Sequence, residues 1–377
     1  MTLEIRPVSN SKEKKDFINL PWSLHAHDAN WVPPLKIAVK DLLNTKKHPF
    51  YKQAKLQLWN AYRNNKCVGR IAGIINHAHN QFHNDKTGFW GFFECENNVE
   101  TSRALFQTVE QWIKEHNMDL LRGPMNPSTN YECGLQISAF DTRPFIMMTQ
   151  NPPYYADLVE QANFSKAKDL HAWIIDQREV DFDRRLLAKA EAAAQEERIT
   201  FRHINMKRYN EEVANIFAIY NDAWEKNWGF IPMSDDEFRL FAKEMKAIII
   251  PELILIVEVD GEMAGFGALL PDVNQVLAKI RNGRLLPTGL FKLLWHAKVK
   301  KSINQGRIPI LGVSKKYQSL QLGPLLYMKY LEIGPKHGFP VSECSWILED
   351  NKSMNFGLKL MGAKKYKAYR IYDKELV

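Results

Sequence analysis

The sequence predicts an α/β chain built as two halves of the same order. Three observations carry that reading. Ile308-Pro-Ile-Leu-Gly-Val313 is a short apolar run with a β-branched bias, followed by Ser314–Gly323 and a helical run from Pro324 to Ile333. That succession is a buried strand, a loop and a helix. The same order of two helices, a hairpin, a strand–helix core, a strand, a helix and a strand occurs twice along the chain, which points to an internal duplication. The length of 377 residues exceeds what one compact core usually takes, so two domains follow. They are placed at 1–178 and 179–377, with an alanine-rich connector helix, Asp183–Arg198, within 179–200.

In the first half, Lys12–His27 is predicted helical, with Phe17, Leu20 and Leu24 at helical spacing. Pro21 predicts a kink or break inside it. Leu35–Leu43 is a second helix. Lys55–Arg63 and Cys67–Asn76 pair around Asn64-Asn65, a turn pair that tolerates positive φ. Phe89–Cys95 is a third strand. Asn97 or Asn98 caps a helix running through His116, and Asp119–Arg122 is a short strand. A loop-rich insertion, Gly123–Pro144, precedes Asn151-Pro-Pro-Tyr-Tyr155, a helix to Ala162 and a strand near Asp169–Ile175.

The second half repeats this plan. Arg208–Asn227 and Ser234–Ala247 are helices, the latter opening on the capping box Ser234-Asp-Asp-Glu237. Leu253–Val259 and Met263–Leu270 form a hairpin around Asp260-Gly261. In the insertion that follows, Leu290, Leu293, Leu294 and Ala297 share one helical face. Val341–Leu348 is a strand ending in Glu349-Asp350-Asn351, and a short helix runs to Met361-Gly362-Ala363.

Hydrophobic residues at 45% and charged residues at 25% describe a globular chain rather than a disordered one. The longest apolar stretch, Ala247–Val257, is interrupted by Pro251 and Glu252 and is too short to span a bilayer. The first residues carry no signal-peptide core. A cytoplasmic location without a membrane partner is therefore expected. Cys67, Cys95, Cys133 and Cys344 are far apart, poor material for disulfides or zinc. His77 and His79 would share a strand face, but nothing completes a metal set, so a polar strand end and no metal are expected. The net charge of +8 is spread over short basic pairs. Solvated surface is expected for most of them, with Lys315-Lys316 reserved for phosphate.

The stretch Gln318–Gly323 precedes a helix start, where several backbone N–H groups lack partners and the helix dipole favours an anion such as a pyrophosphate. Gly323 admits a close ligand because it has no Cβ, and Pro324 suits the first helical turn.

These residues resemble the acetyl-CoA-binding core of the GNAT superfamily of N-acetyltransferases. Gln318 and Gly323 fit the first and last places of that family's loop, while Gln321 stands where a glycine is usual. Glu349-Asp350-Asn351 and Gly362 are also similar to the family; Leu358 stands where many members carry a tyrosine acid. The resemblance implies two domains, each a mixed, mostly antiparallel sheet flanked by helices. It implies acetyl-CoA or another acyl-CoA as co-substrate, pantetheine along the strand ending at Val313, and pyrophosphate at Gln318, Leu320, Gln321, Leu322, Gly323 and Leu325. Asn351 is either a cofactor contact or a helix N-cap. In the first half, Glu94, Glu96 and Glu100 would repel a pyrophosphate and no glycine is present, so that half is expected not to hold the cofactor. Over most of its length the chain also resembles bacterial GNAT-like proteins, through Arg122-Gly-Pro-Met-Asn126, Asn130-Tyr-Glu-Cys-Gly-Leu135 and Asn151-Pro-Pro-Tyr-Tyr155.

Acyl transfer to an amine needs a proton acceptor. Glu343 and Glu349 fall on one face of Val341–Leu348 and are the candidates, weighed against a solvated strand end. Asn126, Asn130, Tyr131, Glu132, Asn151 and Tyr154 either line a pocket for a small-molecule or peptide amine or tie down their own loop. Two other readings remain: a Fem-like aminoacyl-tRNA transferase, to which the basic pI of 9.1 points loosely, and a catalytically degenerate ligand-binding protein, to which Gln321 and Leu358 point.

Overall fold

The computed structural model describes residues 2–180, 185, 188, 191–192, 198–300, 302–320 and 322–376. Most of the expected connector helix, and Gln321, lie outside the described residues. Two compact units result. The first comprises Met1–Leu170, Asn274–Lys300 and Lys367–Val377; the second comprises His171–Val273 and Lys301–Tyr366.

The strands are β1 (Leu3–Pro7), β2 (Ala54–Arg63), β3 (Lys66–Asn76), β4 (Thr87–Cys95), β5 (Leu120–Gly123), β6 (Met125–Asn126), β7 (Glu132–Cys133), β8 (Leu135–Gln136), β9 (Ser165–Asp176), β10 (Ile199–His203), β11 (Ile254–Val259), β12 (Glu262–Pro271), β13 (Gln305–Val313), β14 (Val341–Leu348) and β15 (Lys364–Glu375). In the first unit the neighbours run β1-β2-β3-β4-β5-β15-β9, and β8 also pairs with β15. In the second they run β9-β14-β13-β12-β11-β10. The duplication is visible in the pairing. β4 and β5 are parallel, as are β13 and β14, while the hairpins β2/β3 and β11/β12 are antiparallel. Each hairpin turn places two residues at positive φ, Asn64 and Asn65 in one and Asp260 and Gly261 in the other, the geometry such two-residue turns require.

Several details differ from expectation. Pro21 sits inside the continuous helix Ser11–Leu24. The edge strands β1 and β10 are too short to stand out by pattern. His77–His83 is a helix, not a strand end, because the Asn76 side chain accepts from the His79 N–H and caps it.

Each unit has its own core. In the first, the helix Val99–Glu115, capped by Asn98, lays Leu105, Phe106, Val109 and Ile113 against Trp90 and Phe93 of β4. The Trp90 and Phe106 rings meet edge to face at 5.1 Å, an arrangement that adds to simple burial. In the second, Leu322, Leu326 and Tyr330 of the helix Leu322–Lys336 pack with Leu255, Val257 and Ile308.

Candidate active site

The parallel ladder of β13 and β14 runs from Gln305↔Val341 to Ile308↔Cys344 and stops there. Pro309–Val313 and Ser345–Leu348 continue without cross-strand pairs between them among the described residues. Among the described residues, no side chain hydrogen-bonds the backbone of Pro309–Val313. Val313 is the last residue of β13 and half-buried. Lys315–Leu320 is a 3-10 turn, and the helix begins at Leu322, two residues earlier than the proline that was expected to open it. A Cβ on Gly323 would meet only Leu311 Cδ2, at 3.9 Å. The helix start therefore has room above it. Gln318 is exposed, Leu320 and Leu325 are half-buried, and Leu322 is buried in the core.

The two lysines reserved for phosphate are otherwise engaged. Lys315 pairs with Glu225 and Asp222, and Lys316 with Glu262. The Ser314 hydroxyl and the Lys315 N–H both donate to Asp222 Oδ2, at 3.0 and 2.7 Å.

Glu343 and Glu349 part company. Glu343 is fully buried, and its carboxylate accepts from the Ser345 hydroxyl at 2.5 Å and from the Tyr366 hydroxyl. Arg307 lies 3.6 Å away, donating to the Ser345 hydroxyl and carbonyl at 3.0 Å each. The solvated strand end is thus excluded for Glu343, whose carboxylate is enclosed by its partners. Glu349 lies past the end of β14 and is half-buried. Asn351 is the N-cap of the helix Lys352–Leu360, accepting from the Met354 N–H at 3.1 Å. Leu358 is buried, packing where a polar acid would have to reach solvent.

In the first unit the corresponding strand edge is closed. Beyond the ladder Thr87–Phe89 with Leu120–Arg122, Asn126 Oδ1 accepts from the Phe92 N–H at 2.6 Å. Tyr154 donates to the Cys95 carbonyl at 2.8 Å, and the Tyr155 oxygen accepts from the Cys95 N–H at 2.9 Å. A Cβ on Gly91 would lie 1.7 Å from the Met125 carbonyl oxygen, so only glycine lets this crossing segment through. Glu96 is held by Arg63 and Thr101 at the start of the following helix. These contacts occupy the β4 edge and the start of the helix that follows it.

The same closure builds a polar centre that sequence reasoning missed. His25, just past the first helix, brings Nε2 within 2.7 Å of Glu94 Oε2 and its ring within 5.3 Å of Trp31. Tyr155 donates to the same Glu94 oxygen at 2.7 Å, and Arg70 reaches the other at 3.5 Å. Burial alone would raise the Glu94 carboxyl, but His25, Arg70 and Tyr155 outweigh it and hold it below the usual range. His25 Nδ1 has no hydrogen-bond partner among the described residues. An imidazole held by a carboxylate can accept or donate a proton. The signal for it was a lone glutamate in an apolar strand; its partner lies 69 residues away in sequence.

The insertion residues divide. Asn151 is buried, accepting from the Gln136 N–H and donating to its carbonyl, the bonding that the loop-tie alternative describes. Tyr131 packs its ring near His48 and Phe50. Asn130 is half-buried, and Glu132 is exposed opposite Asn126 in the β6/β7 pair. Asn126 and Tyr154 both engage the β4 edge beside Glu94.

Cysteine nucleophiles have no support: burial pushes the Cys67 and Cys344 thiols up to about 12 and Cys95 further. His79 gives a stability prediction. Burial lowers its pKa from 6.5 to about 4, against the opposing pull of Asp85. Its contribution is complete above the unfolded value and is lost as the pH falls toward the folded one. The loss is about 3 kcal/mol at most. Denaturant unfolding at pH 7 and pH 4 should show a smaller acid loss for His79→Leu than for the parent chain; equal losses would refute the assignment.

The repeated order in the two units, a parallel strand pair with a helix between its strands, defines a tandem GNAT fold. Solved structures agree. A tandem GNAT protein from the clavulanic acid biosynthesis pathway matches with a TM-score of 0.57, covering 100% of this chain and 99% of that one at 12% identity. A GCN5-related N-acetyltransferase from Sphaerobacter thermophilus matches with a TM-score of 0.54, covering 99% and 96% at 12% identity. No protein-family model matches the chain. Two curated relatives do. A protein named bacterial ceramide synthase, from Caulobacter vibrioides, is 37% identical over 99% of this chain and 98% of its own. Protein YghO of Escherichia coli is 34% identical over 99% of this chain and 95% of its own. The chain belongs to the family of these two proteins.

Proposed function

We propose that the protein is an N-acyltransferase that joins the acyl group of a coenzyme A thioester to the amine of a long-chain amino alcohol. The observation that carries the thioester reading is the opened β13/β14 pair, with its unencumbered Pro309–Val313 edge and the roomy helix start at Leu322 and Gly323. Pantetheine along such an edge and pyrophosphate at such a helix start are met by backbone groups. The substrate class follows from the relative named bacterial ceramide synthase, since a ceramide is the fatty amide of a long-chain amino alcohol.

In the reaction, the amine nitrogen attacks the thioester carbon, the C–S bond breaks, and the thiol leaves. The nitrogen's proton is assigned to Glu349, past the end of β14 in the same unit as the thioester edge, and it ends on the departing thiolate. The Asn126, Asn130, Tyr131 and Glu132 loop remains the candidate for amine recognition.

The test is thiol release from acetyl-CoA and palmitoyl-CoA in the presence of sphinganine, with calorimetry on the thioesters alone. Release that depends on the amine, with a preference for one chain length, is expected. Folded protein that binds neither thioester at millimolar concentration would end this reading. Binding without release on any amine would favour the degenerate ligand-binding alternative.

A further inference from the structure

Six of the ten large apolar side chains exposed among the described residues fall between Leu286 and Val299. The helix Thr288–Leu294 continues as the π-helical turn Trp295–Val299. Leu290 and Leu294 fall at i, i+4 spacing along it, with Leu286 just before its start, and Phe291, Trp295 and Val299 form the adjacent row. Phe291 is 67% exposed and Trp295 47%, their rings stacked at 6.0 Å on each other. Of the leucines expected on one helical face, Leu290 and Leu294 are exposed and Leu293 is half-buried.

The charge around this face has one sign. From Val273 to Leu331 the sequence contains no Asp or Glu. Lys279, Arg284, Lys292 and Lys300 are all exposed. The segment is nonetheless firmly rooted within the first unit: Trp22 Nε1 donates to the Arg281 carbonyl at 2.9 Å, Arg281 donates to the Trp31 carbonyl at 2.8 Å, and Asn274 donates to the Pro144 carbonyl at 3.0 Å. A rooted helix with aromatic and leucine side chains on one face and lysines around them is the pattern of an interfacial membrane helix. Among the described residues no helix is long and apolar enough to cross a membrane, so the contact would be with a surface.

We propose that Leu286–Val299 docks the protein on an anionic phospholipid surface, with Phe291, Trp295 and the leucine row entering the headgroup–acyl boundary and the lysines meeting lipid phosphates. A second copy of the chain is the weaker occupant, because it would bring two sets of basic groups together. The proposal does not depend on the acyl-transfer reading, and its test contains neither thioester nor amine.

The test is co-sedimentation of the full chain with vesicles of phosphatidylglycerol mixed into phosphatidylcholine, and with phosphatidylcholine alone, at low and high salt. Wild-type protein should bind the anionic vesicles, and binding should weaken at least tenfold without the anionic lipid and again at high salt. Phe291→Ala with Trp295→Ala should weaken binding at least tenfold with an unchanged thermal midpoint. Lys292→Glu with Lys300→Glu should do the same and serves as the second variant should the first misfold. Absence of wild-type binding to anionic vesicles, or wild-type affinity in both variants, overturns the proposal. So does a vesicle-free dimer that the aromatic variant converts to monomer.

Discussion

Glu349→Gln is expected to lower turnover by about 10²–10⁴-fold, the range a positioned general base supplies, while calorimetric binding of the thioester stays as in wild type. Glu349 lies past the end of β14 and is half-buried, so the change takes away the carboxylate and leaves the β13/β14 opening in place. The acid limb of the pH–rate profile should move with it, a shift that a purely structural role would not produce. If Glu349→Gln turns over as the parent chain does, the base does not lie at the end of β14.

The second large effect is on stability. Glu343→Ala should cost about 3–5 kcal/mol, because it strands the buried Arg307 guanidinium without its carboxylate. Arg307 is 3% exposed and Glu343 0%, with Ser345 and Tyr366 completing the set. Equilibrium denaturation of the variant reads this directly. A Glu343→Ala protein as stable as the parent, but catalytically dead, would return Glu343 to the role of base.

The fold was legible wherever a local rule had no competitor. Asn64-Asn65 and Asp260-Gly261 sit at positive φ in both hairpins, and few residue pairs do so at low cost. Asn98 and Ser234 announced their helices by capping chemistry. His77-Ala-His79 misled because its alternation imitates a strand, whereas the Asn76 cap already starts a helix there. The apolar period of Leu290–Leu294 was legible and its direction was not: a periodic face shows that one side differs from the other, not which side meets solvent. Of the site, the strand–helix opening of the second unit could be read from adjacent residues. The His25–Glu94 pair could not, since two separate elements must converge before either side chain has a partner. Glu94 in the sequence looked like a repulsive charge; in the structure three buried groups surround it.

Strand β15 has a consequence for how the protein is made. Its residues from Lys367 onward belong to the first unit, where Tyr372 and Asp373 pair with Gly123 and Arg122 and the Asp373 carboxylate meets the Arg122 guanidinium at 2.7 Å. The β5 edge is thus completed by a segment translated well after it. Until β15 emerges, the β5 edge lacks that partner, and an unpaired edge is a template on which a neighbouring chain can pair.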